Sequence, residues 1–83
     1  MYIQNEKQPM TKETFYRLTI KDKVNNTNEP QPLAYYTQSA ALDSAYRIME
    51  QHGGIEWIDN AGSNISLWND CKTFGVEVNP ILI

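Results

Sequence analysis

One helical stripe, set between stretches that alternate like strands, constrains this 83-residue chain more than any other feature. Ala41, Leu42, Ala45, Ile48, Met49 and His52 recur at the spacing that lines one face of a helix. Ser39 precedes them as a good N-cap, because its hydroxyl can accept from a free N–H of the first turn, with Thr37 as the alternative. Gly53 follows as the left-handed residue that ends helices, and Gly54 loosens the exit. Asp43 and Arg47 stand four apart on the polar side, spaced to pair. A single helix over 39–52 can cover only one side of what it packs against.

The alternation shows what that is. In 15–21, Tyr16, Leu18 and Ile20 share one face while Arg17, Thr19 and Lys21 share the other, the period of a half-buried strand. Residues 22–32 are rich in turn formers and close on Pro30 and Pro32, which cannot donate to a ladder, so they read as a long hairpin loop. Residues 33–37 form the second strand, with Tyr35 and Tyr36 on opposite faces. Beyond the helix, 55–58 and 65–68 read as strands joined by the turn-rich 59–64. Residues 74–78 alternate with Phe74, Val76 and Val78 inward; Asn79-Pro80 breaks the run, and the apolar 81–83 needs a sheet or a partner to dock on. Residues 1–13 lack a period and read as a loose N-terminal arm. The expectation is one α+β domain over 1–83, ordered β-β-α-β-β-β, with one helix on one face of an antiparallel sheet of about five strands.

Composition removes several classes. Apolar residues at 41% with nine aromatics argue for a folded chain. The net charge of −3 argues against a general nucleic-acid binder, and the aromatic signature of RNA-binding sheets is missing. No apolar run approaches the ~18 residues of a membrane helix, and the polar start does not read as a signal peptide. With Cys71 as the single cysteine, no intrachain disulfide is possible. The expected compartment is the cytoplasm.

Chemistry is hard to place. Cys71 and His52 are the one candidate nucleophile–base pair, and their spacing suggests no site. Together they cannot close a zinc site, which takes four N or S ligands. Asp59, Asn60, Ser63 and Asn64 gather oxygens as calcium loops do, but without the spacing of an EF-hand, and Asx side chains in turns bond their own backbone. Gly53-Gly54 precedes a strand, whereas phosphate loops lead into helices. The expectation is a non-enzyme without metal or cofactor.

A protein-binding surface remains. Charge is uneven: residues 1–38 sum to +1 and 39–83 to −4. Alternation places Tyr36 and Trp68 opposite Leu33, Tyr35, Ile65 and Leu67, on the face the helix leaves bare, and such aromatics are enriched in hot spots. Tyr36 and Trp68, with Glu56, Asp59, Asp70 and Glu77, are the expected partner-binding residues, directed at a larger protein with a basic surface. A homodimer through the bare face is the alternative.

In the strand 15–21, the Tyr35-Tyr36 strand leading into the helix 39–52, and the terminal strands, the chain resembles the small phage-encoded inhibitors of bacterial defence, the anti-CRISPR proteins in particular. The resemblance is one of architecture and of acidic, cofactor-free composition. It implies a stoichiometric inhibitor that binds a nucleic-acid-handling ribonucleoprotein complex in the host cytosol and blocks it without chemistry. Inhibitors that mimic DNA carry denser negative charge than −3, so a groove-blocking or allosteric mode fits better. The dimerising alternative corresponds to an accessory, immunity or antitoxin-type domain.

Overall fold

A computed structural model describes residues 14–82 of the chain. The N-terminal arm expected over 1–13 lies outside the described residues. The elements are β1 (Thr14–Asp22), β2 (Thr27–Tyr35), α1 (Gln38–Gln51), β3 (Trp57–Ala61), β4 (Asn64–Trp68) and β5 (Phe74–Leu82). The five strands form one sheet in the order β2-β1-β5-β4-β3, antiparallel at every pair. This is the expected α+β fold.

At the centre, β1 and β5 pair over nine residues, from Thr14↔Leu82 to Asp22↔Phe74. Their shared register puts Leu18 beside Val78 and Ile20 beside Val76, and β4 adds Ile65 beside Val78 and Leu67 beside Val76. The helix docks on this face. Ala41, Ala45 and Met49 are fully buried against Leu18, Leu67, Val76 and Val78. Two alanines bring the helix backbone close to the sheet, and each large apolar side chain buried stabilises the fold by about 1.5–3 kcal/mol. Leu42 and Ile48 pack on the edge of this core, half-buried.

Several boundaries differ from the sequence expectation. The N-cap is Thr37, not Ser39: its Oγ1 accepts from the Ala40 N–H at 3.1 Å. At the other end, the His52 and Gly54 N–H groups both donate to the Met49 carbonyl, at 2.9 and 2.8 Å, with Gly53 at φ 104°. Asp43 and Arg47 do not pair; the two ion pairs among the described residues are Lys21–Glu77 and Lys72–Asp59.

The long loop expected over 22–32 is a short turn at 23–26 followed by strand. Asp22 makes so tight a reversal possible: Oδ1 accepts from the Val24 and Asn25 N–H groups, and Oδ2 from Asn25 Nδ2. Asn26 takes the left-handed conformation that Asn tolerates. Pro30 and Pro32 fit in β2 because it is an edge strand, where a missing N–H need not break a ladder. The register also slips there. Arg17 faces Ala34 and Thr19 faces Pro30, so Leu18 stands opposite three residues, 31–33.

Beyond the helix, β3 begins at Trp57 rather than Ile55, and the connection to β4 is the pair Gly62-Ser63, with Gly62 at φ 67° as the first central residue of a tight hairpin needs. Asn79-Pro80 does not break β5. Past Val78 this strand has lost β4 as a neighbour and pairs on one side only, where proline is tolerated. Ile81 and Leu82 of the apolar tail are thereby absorbed into the sheet.

Candidate functional site

The face away from the helix carries Phe15, Arg17, Thr19 and Lys21 of β1, Gly75, Glu77 and Asn79 of β5, Ser66 and Trp68 of β4, and Trp57 and Asp59 of β3, as the registers require. Its middle is polar and partly paired, with Arg17 Nε buried and without a hydrogen-bond partner among the described residues. Lys21 Nζ lies 3.0 Å from Glu77 Oε1, and Asn79 Nδ2 donates to Thr19 Oγ1 at 3.3 Å. Glu77 is therefore held within the sheet face by a lysine on the neighbouring strand.

Tyr36 and Trp68 share this side but not one patch. Tyr36 is 79% exposed and packs on Phe15, ring centroids 5.1 Å apart. Trp68 lies over Gly75, the register partner of Lys21. Six residues of β1 at about 3.3 Å each separate the two by roughly 20 Å. Trp68 is also buried, 8% exposed. Its indole sits on the space Gly75 leaves empty, and Lys23 Nζ lies 4.9 Å from the ring centroid. This buried indole packs the sheet and presents little surface to a partner.

The exposed tryptophan is its register partner, Trp57. Trp57 is 50% exposed and Ile58, pointing to the other face, 52%. Ile58 is open because α1 lies over β1, β2, β4 and β5 and does not reach β3, and Trp57 is open because it stands on the face away from the helix. Trp57 is nonetheless fixed. Its Nε1 donates to the Asp70 carbonyl at 3.0 Å, and Lys72 Nζ stands 5.1 Å from its ring while bonding Asp59 Oδ2 at 3.4 Å. The turn that carries Asp70 and Lys72 is built by Asn69, whose Oδ1 accepts from the Thr73 and Phe74 N–H groups and whose Nδ2 donates to Thr73 Oγ1.

Asp59 and Asp70 thus gather around Trp57, and Glu56 immediately precedes it. The Glu56 N–H donates to the Trp68 carbonyl at 2.9 Å. The two-residue hairpin makes Ala61 and Asn64 its closing pair. The alternation of an antiparallel ladder then turns the N–H and C=O of Ile58 and Asn60 outward, to an edge that no strand covers among the described residues. The two sheet edges differ sharply: β2 carries two prolines and a register slip, while β3 carries neither. Trp57 and Ile58 were missed by the sequence reading. Their signal was two large apolar neighbours on opposite faces of a short strand that a single helix could not cover.

The chemistry-bearing residues do not converge on one site. His52 stacks on Phe74, centroids 4.2 Å apart. Cys71 is an exposed free thiol whose pKa is pushed up by its neighbour Asp70, through a hydrogen bond and through charge. A protonated thiol is a poor nucleophile. Asp59 and Asn60 lie in β3, on opposite faces, rather than in one oxygen-lined loop. Among the described residues no three His, Cys, Asp or Glu side chains gather as a metal site, and no helix is long and apolar enough to cross a membrane. Comparison with protein-family models, curated proteins and solved structures found no match to this chain.

Proposed function

We propose that this protein is a non-enzymatic binding module that takes an extended, basic segment of a larger protein as a sixth strand along β3. The observation that supports this reading is the bare β3 edge, flanked by half-exposed Trp57 and Ile58. Strand addition draws affinity from main-chain hydrogen bonds, here to Ile58 and Asn60, and specificity from the flanking side chains. Glu56, Asp59 and Asp70, offset by Lys72 beside Trp57, favour lysine or arginine in the incoming strand. On the resemblance to anti-CRISPR proteins, the partner belongs to a nucleic-acid-handling defence complex, and occupancy alone inhibits it.

The second reading is a homodimer through the same edge. It meets an obstacle: pairing the outward groups of Ile58 and Asn60 with those of a second copy sets Asp59 against Asp59 of that copy, and like charges directly opposite destabilise a strand pair. The test is capture of the partner from the native cell, followed by binding kinetics with Asn60→Pro and Trp57→Ala. Proline at 60 removes an outward N–H without touching the β3–β4 ladder. A folded Asn60→Pro protein that binds as tightly as the parent sinks strand addition. A dimer in sedimentation that Asn60→Pro dissolves makes the second reading the better one.

A further inference from the structure

We propose that the cavity between α1 and the slipped part of β2 binds a small apolar carboxylic acid, with its carboxylate on Arg47 and its apolar body against Leu18, Leu33, Tyr35 and Ile48. The cavity measures about 350 Å³, at the small end of the ~300–1,000 Å³ range of small-molecule sites. It lies at the opposite edge of the sheet from β3, so it stands or falls separately from strand addition.

The register slip is its structural cause. Leu18 faces three residues of β2 where an unbroken ladder would supply one, so 31–33 arch away from β1 beside the helix. Pro30 and Pro32 bound that arch, and each fixes its own φ and lacks an N–H. With three residues of β2 opposite one of β1, the wall cannot lie flat as a regular ladder and close the space, which is what a preformed pocket requires. Leu33 is left 63% exposed as a result, an apolar side chain with a partner on only part of its surface.

The polar groups of the lining select the ligand's charge. Arg47 is one of two basic residues in 39–83, and it lines the cavity from the helix. Asp43, one turn earlier, does not reach it, and both ion pairs among the described residues lie elsewhere. Gln31 also lines the cavity, but its amide nitrogen is engaged with the Glu29 carbonyl at 3.1 Å. Ser44, three residues before Arg47, adds a hydroxyl on the same helix face. A guanidinium fork beside a hydroxyl, above aliphatic and aromatic walls, matches a carboxylate on an apolar body.

The test is an NMR titration of the full chain with sodium octanoate and, as the neutral counterpart, 1-octanol. The expected result is saturable shifts confined to Leu33, Tyr35, Ser44 and Ile48, with octanoate bound about tenfold more tightly than octanol. Arg47→Gln brings octanoate down to the affinity of octanol, and Arg47→Lys restores part of the difference. Ser44→Leu, which fills the cavity from the helix, abolishes both, with its fold checked by the unperturbed remainder of the spectrum. Absence of saturable shifts, shifts centred on β3, or equal octanoate affinity in the parent and Arg47→Gln each overturns the proposal.

Discussion

A Cβ on Gly75 would stand 2.5 Å from Trp68 Cε3 and 2.6 Å from the Leu67 carbonyl oxygen, so the strand next door occupies the place of a side chain. Gly75→Ala is expected to cost about 1–3 kcal/mol in urea melts, the range of overpacked cores. With Trp68→Leu in the background the penalty shrinks without vanishing, because the Leu67 carbonyl stays. Additive losses would show that Trp68 and Gly75 are not coupled. Asp22 gives a pH signature. Bonds from the Asn25 backbone, the Asn25 amide and the Val24 backbone hold its pKa below the usual 3.8, outweighing an opposing desolvation. A depressed folded-state pKa stabilises the fold above the unfolded value and is lost as pH falls through the folded one. Acid melts below about pH 4 are therefore expected to be less steep for Asp22→Asn than for the parent. Cys71 supplies a chemical readout: Asp70→Asn removes the charge that raises the thiol's pKa, so alkylation at pH 8 is expected to accelerate. An unchanged rate would mean that Asp70 does not govern the thiol.

For the helix, the fully buried face is Ala41, Ala45 and Met49, with Leu42 and Ile48 at its margin. Met49→Ala is expected to cost about 2–5 kcal/mol, and Leu42→Ala or Ile48→Ala less than Met49→Ala, as measured by chemical denaturation. The helical period made this stripe legible, and strict alternation did the same for β1 and the first half of β5. The cap was ambiguous because Thr37 and Ser39 are both hydroxyl residues, two apart. The slipped β2 was hidden for a different reason. Proline forbids a central strand but not an edge, and whether a strand is an edge depends on pairings tens of residues away. The same limit applied to Trp68. Alternation placed it on the correct face, yet Gly75 and Lys23, which bury it, are neighbours only across the sheet. Trp57, which alternation treats no differently, stays open because it stands on the outermost strand of the same face, with β4 on one side only.

Across the molecule, the longest ladder joins β1 to β5, the first and last described strands, so the sheet is closed at its middle by residues about sixty positions apart. Amide exchange is expected to be slowest in β1 and β5 and fastest in the five residues of β3, which has one neighbour and no helix above it. Equal protection of β3 in the isolated protein would mean that its edge is already covered.

The unlike edges also bear on how far assembly can run. Sheet polymerisation needs a growing end at both sides of each unit, one strand to receive and another to be received. Here one side is sealed by Pro30, Pro32 and the register slip, and the other is receptive. On the strand-addition reading, a molecule of this kind would act as a chain terminator. Concentrated solutions are then expected to reach a finite stoichiometry, with fibre growth suppressed, and Pro30→Thr with Pro32→Thr is the change that would release it.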